Sequence, residues 1–147
     1  MMEKTAYDIA RKKLYFFYIN DPVYKIADIM QAKNIGSVLV KDKKDNVVGI
    51  VTIGDILRLV NKEKNVEPFS AQDIMSSPVI FLDKESSLED TMSKFQKHKI
   101  TRFVLIDENK KPVGIVRDLA VYKVLSFSKI YQESAERFKQ SYTDHFY

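Results

Sequence analysis

The sequence predicts an α+β (α/β) fold of two pseudo-symmetric β-α-β-β-α units packed together, followed by an amphipathic C-terminal helix. The observations behind this prediction are an internal repeat, strand and helix periodicities that recur in each copy, and an apolar stripe after the second copy. The chain has 147 residues, of which 45% are hydrophobic and 30% charged. It is therefore long enough to bury a substantial core without disulfides or a structural metal.

An internal repeat sets the predicted domain organisation. With an offset of 65 residues, positions 6–60 align with 71–125 without a gap, and 11 of the 55 pairs are identical. About three or four identities would arise by chance from ordinary composition. A gapless repeat of this length indicates two copies of one structural unit. We predict units at 6–62 and 69–126, and a separate helix at 127–147.

Each copy shows the same succession of strand and helix patterns. A helix begins at Pro22 in the first copy and after Ser86 or Ser87 in the second, because proline and serine favour helix starts. Its apolar residues recur every three or four positions, which indicates one buried face. The last two strands of each copy form a hairpin, and a second helix closes the unit. In chain order we predict strands at 14–19, 37–42, 47–52, 79–82, 102–107 and 112–116.

An apolar stripe follows the repeat. Its members are Phe127, Tyr131, Ala135, Phe138, Tyr142 and Phe146. Their spacing of three or four residues predicts a long amphipathic helix. Such a stripe requires cover, and the sequence leaves open whether this chain's own core or a second chain supplies it.

Composition excludes several kinds of site. The chain has no cysteine, and its two histidines are not at metal-ligand spacing, so we predict neither disulfides nor a metal site. The start shows no signal-peptide pattern, and no apolar run approaches the roughly 20 residues of a membrane helix. These features predict a cytoplasmic protein that does not enter a membrane. The net charge of +4 favours anionic partners.

Three motifs lie in a fixed order along the two copies of the repeat. They are Asp73-Ile74-Met75 before a first strand, the stretch 100–104 at a middle strand, and Gly49-Ile50-Val51-Thr52 with Asp55 at the end of a unit. With these motifs the chain resembles tandem CBS domains, named after cystathionine β-synthase, over residues 6–125. The resemblance implies a stand-alone CBS-pair (Bateman) module that is regulatory and not an enzyme. It also implies an adenine nucleotide (AMP, ADP or ATP) or S-adenosylmethionine as regulatory ligand, no required cofactor, a homodimer and an unidentified regulated protein.

The resemblance further implies which residues line a nucleotide-binding cleft. They are Thr52, Asp55, Ile80, Thr101 and Arg102. In the family pattern, Thr52 contacts phosphate, Asp55 contacts the ribose hydroxyls and Ile80 contacts the purine. Thr101 and Arg102 lie near the phosphates.

A second cleft, related to the first by the repeat, is expected to be degenerate. Its residues by resemblance are Tyr15, Gly36, Ser37, Arg117, Asp118 and Ala120. Because Ala120 stands where the first repeat has Asp55, the ribose contact is lost. We expect Asp118 to cap the helix there, and Arg117 still to reach an anion. A gapped alignment sets Asp118 against Asp55 instead, but it disrupts the apolar pattern of the following helix, so we prefer the ungapped one.

The first cleft suits a phosphorylated ribose ligand on chemical grounds alone. Ionised Asp55 can accept two hydrogen bonds from a ribose diol, each worth about 1.5–3 kcal/mol. Arg102 presents a planar fork of donors for phosphate, and a helix beginning near Ile53 turns its N–H groups to the same place. Alternatively, Thr52 and Asp55 form only a capping box, worth about 1 kcal/mol. The matching Arg102 and Ile80 lead us to favour ligand binding.

Three competing functions are weighed against a ligand sensor. One is a structural or protein-interaction module that has kept the fold without a ligand. Nucleic-acid binding is suggested by the charge and by aromatics among lysines, but no helix-turn-helix or RNP-type motif supports it. An enzyme is disfavoured because the sequence has no nucleophile elbow, phosphate-binding glycine loop or thiol.

Overall fold

The computed structural model describes residues 4–127 and divides the chain into two compact units. Of the described residues, 14–80 form the first compact unit, and 4–13 with 81–127 form the second. The helix predicted for 127–147 lies outside the described residues beyond Phe127. Among the described residues, no helix combines the length and apolar character needed to cross a membrane.

The first compact unit carries one three-stranded sheet with helices packed on it. In chain order its elements are β1 (Phe16–Tyr18), α1 (Val23–Lys33), β2 (Ser37–Lys41), β3 (Val47–Thr52), α2 (Ile53–Lys62) and α3 (Ala71–Ile74). The strand order is β1-β2-β3, with β1 and β2 parallel and β2 and β3 antiparallel. The predicted hairpin of β2 and β3 is confirmed.

The second compact unit repeats this architecture. Its elements are a 3-10 helix (Tyr7–Ile9), β4 (Phe81–Asp83), α4 (Leu88–His98), β5 (Arg102–Ile106), β6 (Pro112–Arg117) and α5 (Asp118–Leu125). Both bounds of β4, α4, β5 and β6 lie 65 residues after those of their counterparts. Even the irregularity in pairing recurs, between Val40 and Lys41 and between Leu105 and Ile106. The ungapped repeat is confirmed.

The helix starts and buried faces agree with the sequence patterns. Ser87 caps α4 by accepting a hydrogen bond from the Asp90 N–H at 3.1 Å, while Pro22 occupies the N-cap position of α1. The periodic face of α1 is buried at Val23, Ile26 and Met30. These helices are therefore fixed by local signals that the sequence shows.

The segment that leads each repeat packs into the compact unit of the other repeat. Ala71 is fully buried in the core of the first compact unit, and Ile50 exchanges two backbone hydrogen bonds with Ser76, at 3.1 and 2.9 Å. In the second compact unit, Arg11 and Ile115 exchange an equivalent pair at 2.9 and 3.0 Å. The compact units thus group the leading segments differently from the sequence repeats at 6–62 and 69–126.

A glycine in β3 makes room for the leading segment. A Cβ on Gly49 would lie 2.3 Å from Sδ of Met75 and 3.0 Å from its Cβ. Gly114, its counterpart in β6, would bring a Cβ to 3.1 Å from Cβ of Ala10. The identity of this glycine pair in the repeat therefore follows from close packing against the strand.

Gly49→Ala is expected to lower the free energy of unfolding by about 1–3 kcal/mol, because the added methyl group forces Met75 out of its position. Urea unfolding of Gly49→Ala, Met75→Ala and the double variant measures the coupling. We expect a smaller loss from Gly49→Ala in the Met75→Ala background. Equal losses in the two backgrounds would contradict this contact.

The hairpin turns explain another identical pair. Oδ1 of Asp42 accepts the N–H groups of Lys44 and Asn46 at 2.9 and 3.0 Å. Oδ1 of Asp107 accepts the N–H groups of Asn109 and Lys111, both at 2.9 Å. The hydrogen bond from Asn46 to Asp42, and that from Lys111 to Asp107, lead the causes that lower the pKa of each carboxyl below its usual value.

Asp107→Ala is expected to lower Tm at pH 7, because the ionised carboxylate holds the turn. The pKa of Asp107 is lowered in the folded chain, so this stabilisation is complete above the unfolded pKa and disappears as pH falls through the folded pKa. The Tm difference from wild type should therefore shrink as the pH is lowered below the unperturbed aspartate pKa of about 3.9. Thermal unfolding by circular dichroism tests this, with Glu108→Ala in the same turn as control. A pH-independent difference would refute the explanation.

Candidate functional site

The turn from β3 into α2 contains the predicted Thr52 and Asp55. Thr52 is the N-cap residue, and its Oγ1 accepts the Asp55 N–H at 3.3 Å. Oδ2 of Asp55 accepts the Thr52 N–H at 2.8 Å and the Thr52 hydroxyl at 3.1 Å. The capping box that the sequence left as an alternative is therefore present, and it fixes the carboxylate at the start of the helix.

Arg58 completes the environment of Asp55. Its Nη2 donates to Oδ1 of Asp55 at 2.5 Å, and Asp55 is only 7% exposed. A carboxylate this buried needs a charged or polar partner at each oxygen, and Thr52 and Arg58 provide them. The sequence prediction did not include Arg58. The signal for it was its position three residues after Asp55, where the two side chains share a helix face.

The first N–H groups of α2 are partly used within the compact unit. The Ile53 N–H donates to the carbonyl oxygen of Gly36 at 3.1 Å, and the Asp55 N–H donates to Thr52. The N–H groups of Ile53 and Asp55 are therefore not available to an anion, contrary to part of the sequence expectation. A ligand at this turn would be held mainly by side chains.

The first compact unit brings predicted residues of both clefts together. Ser37 pairs with Thr52 across β2 and β3, and the neighbouring Gly36 contacts the start of α2. Tyr15 packs on the hydrophobic core and accepts the Leu39 N–H at 2.9 Å through its carbonyl oxygen. Ile80, which is partly buried, is the last residue of this unit.

The second compact unit holds the remaining predicted residues. Arg102 pairs with Arg117 across β5 and β6, and its Nη1 donates to the Thr101 hydroxyl at 3.4 Å. The Asp118 N–H donates to the carbonyl oxygen of Thr101 at 3.0 Å, as the Ile53 N–H does to Gly36. The assignment of residues from both compact units to shared clefts stays a prediction.

The turn from β6 into α5 lacks the capping box. Arg117 is the N-cap residue and makes no side-chain cap, because a guanidinium has no acceptor. The prediction that Asp118 caps this helix is wrong: it is the first helical residue, and its Oδ1 accepts the Leu119 N–H at 2.7 Å. Ala120 stands at the third helical position, as Asp55 does in α2.

A hollow of about 320 Å³ opens beside the carboxylate in the first compact unit. Its charged lining residues are Asp55, Arg58, Lys62, Glu63 and Asp73. Asp73 belongs to a second capping box, in which its Oδ2 accepts the N–H of Ser70 at 2.8 Å and the Ser70 hydroxyl at 3.1 Å. Within residues 4–127, no group of His, Cys, Asp and Glu side chains is arranged to hold a metal ion.

The family model described as "CBS domain" matches residues 6–62 and again residues 71–126. The chain belongs to the CBS domain family. It carries a tandem pair of these domains, as the repeat and the motifs predicted.

Relatives of this CBS pair are longer proteins. MK0525, an uncharacterized protein of Methanopyrus kandleri, is 31% identical over 117 residues, which cover 79% of this chain and 60% of that protein. The homoserine O-acetyltransferase of Methanococcus vannielii is 25% identical over 116 residues, covering 79% of this chain and 24% of the enzyme. The chain thus spans 60% or less of these two relatives.

Solved structures share the fold at low sequence identity. The CBS domain pair of protein MJ0100, in complex with 5′-methylthioadenosine and S-adenosyl-L-methionine, has a TM-score of 0.73 at 22% identity, covering 87% of this chain and 100% of that one. CBSX2 in complex with AMP has a TM-score of 0.65 at 20% identity, and the match covers 82% of this chain and 94% of that one. These similarities establish the fold of the CBS pair.

The combination of Arg117→Thr and Ala120→Asp is expected to raise the free energy of unfolding by about 1 kcal/mol, because it rebuilds the missing capping box on α5. Urea unfolding measures the gain. Ala120→Asp alone is the control and should stabilise less, since the N-cap hydroxyl is still lacking. A double variant no more stable than wild type would show that the first turn of α5 cannot accommodate the box.

Proposed function

We propose that this CBS pair is a regulatory module that binds an adenosine-containing ligand, with Thr52 and Asp55 at the centre of the site. The observation that carries the proposal is the buried carboxylate of Asp55, held in one orientation at the start of α2 by Thr52 and Arg58. A fixed, ionised carboxylate suits the two hydroxyl donors of a ribose. The bound AMP, 5′-methylthioadenosine and S-adenosylmethionine in proteins of the same fold support this ligand class.

The remaining residues of the proposed site come from the family pattern. Ile80 would pack on the purine, and Thr101 and Arg102 would lie near the phosphates. The counterpart cleft with Ala120 would lack a ribose partner. We further propose that the module acts as a cytoplasmic homodimer on a separate regulated protein, without a catalytic step or a required cofactor of its own.

A ligand-free interaction module is the second candidate. It is favoured by the completeness of the network around Asp55, in which Thr52 and Arg58 satisfy both carboxylate oxygens without any ligand. Exposed apolar residues on α2 also suit a protein contact: Ile53 is 47% exposed, Leu57 60% and Val60 55%. The two candidate functions differ in whether Asp55 has only a structural role or also binds a ligand.

Asp55→Ala is expected to weaken binding of an adenine nucleotide about 10–100-fold, which corresponds to the loss of one charge-assisted contact. Isothermal titration with AMP, ATP, NADH and S-adenosylmethionine measures the affinity of the wild type and of each variant. Asp73→Ala is the matched control, because Asp73 makes the same capping bonds with Ser70. We expect Asp73→Ala to lower stability and to leave affinity unchanged.

Two outcomes would contradict the ligand proposal. One is that no compound of the panel binds the wild type. The other is that Asp55→Ala and Asp73→Ala change affinity equally, while both lower stability by about 1 kcal/mol, which is the effect of a lost cap.

A further inference from the structure

Arg58 is the exposed charge of the network at the start of α2. Its side chain is 73% exposed, whereas that of its partner Asp55 is 6% exposed. The hydrogen bond to Asp55 uses one of the five N–H donors of a guanidinium. The buried carboxylate therefore holds a phosphate-matching donor group at the surface, next to the predicted ribose contact.

Gly54 has no side chain, and its backbone lies between the guanidinium of Arg58 and the hydroxyl of Thr52. A Cβ at Gly54 would lie 3.4 Å from Nη1 of Arg58 and 3.5 Å from Oγ1 of Thr52. The guanidinium and the hydroxyl thus flank a position without a side chain, which allows a ligand to approach the backbone closely. The counterpart position in α5 is Leu119, whose side chain is 62% exposed.

A ribose diol and Arg58 compete for the same oxygen of Asp55. Oδ2 already accepts two hydrogen bonds from Thr52, so a diol must bind mainly at Oδ1. Without a ligand, Oδ1 accepts a hydrogen bond from Nη2 of Arg58. A ligand that takes Oδ1 therefore displaces the guanidinium, and an exposed side chain can move without repacking the core.

We propose that Arg58 is a further phosphate-binding residue of this site and determines its specificity, and that its guanidinium moves from Asp55 to the ligand phosphate when the ribose binds Oδ1. The inference rests on the proposed function of Asp55 as a ribose contact. Each group keeps a charge-assisted partner through the exchange: hydroxyl donors replace Arg58 on the carboxylate, and phosphate oxygens replace the carboxylate on Arg58.

The exchange specifies the ligand class as an adenosine 5′-phosphate. Uncharged adenosine supplies no partner for the displaced guanidinium. S-adenosylmethionine carries a positively charged sulfur at the 5′ position, and this charge repels the guanidinium of Arg58. The second repeat has Lys123 in place of Arg58, beside Ala120 instead of a carboxylate, so the same exchange cannot occur there.

The test compares AMP with adenosine by isothermal titration in wild type, Arg58→Met and Lys62→Met. Lys62 lies one turn further along α2, lines the same hollow and serves as the matched loss of positive charge. We expect wild type to bind AMP about tenfold or more tightly than adenosine. Arg58→Met should weaken AMP about tenfold and leave adenosine unchanged or tighter, because Oδ1 is released. Lys62→Met should preserve the preference.

The outcomes separate the inference from the proposed function. If wild type binds neither compound, both are refuted. If wild type binds AMP but Arg58→Met weakens AMP and adenosine equally, Asp55 retains its proposed role and the phosphate role of Arg58 is refuted. The phosphate role of Arg58 is also refuted if Lys62→Met removes the preference for AMP over adenosine to the same extent as Arg58→Met. Circular dichroism of Arg58→Met verifies that the comparison is made on folded protein.

Discussion

The buried carboxylate of Asp55 is the constraint on which the candidate site depends. An uncompensated charge at 7% exposure would cost several kcal/mol, so both oxygens require partners. Thr52 can serve Oδ2 only if β3 ends and α2 begins at this point, since the N-cap geometry brings the hydroxyl and the N–H to the same oxygen. Arg58 can serve Oδ1 only from the next turn of the helix. The contacts of one carboxylate therefore connect the strand end, the helix start and the exposed guanidinium.

The second repeat shows that the fold itself does not need this network. β6 ends and α5 begins 65 residues after β3 and α2, although Arg117 and Ala120 replace the capping pair. The backbone bond from Asp118 to Thr101 holds the turn, as that from Ile53 to Gly36 does in the first repeat. Hairpin register and packing are thus sufficient to form the turn. A buried acid with an arginine partner is more than the turn requires, which supports a role in ligand binding.

The sequence predicted what is encoded locally. Strand and helix order followed from hydrophobic periodicity, and the offset of 65 transferred each element to its counterpart. The exchange of leading segments could not be predicted, because the pairing of Ile50 with Ser76 is long-range and leaves no local pattern. Arg58 was missed because an arginine three residues after an aspartate is common on exposed helices, and only the burial of Asp55 distinguishes this pair. The cap prediction for Asp118 failed by one residue, which is the resolution of pattern-based helix starts.

The hydrogen bonds that Thr52 and Arg58 make to Asp55 without a ligand also bear on how a ligand could regulate a partner protein. A ligand shifts an equilibrium only by its different affinity for two states, so it must alter contacts that the free chain already makes. In the proposed exchange, the contact that changes is the hydrogen bond between Arg58 and Asp55. Because Arg58 is 73% exposed and shares α2 with the exposed apolar residues Ile53 and Leu57, its departure from Asp55 would alter charge beside an apolar surface. A partner protein that contacts α2 would sense this difference without any rearrangement of the sheet beneath it.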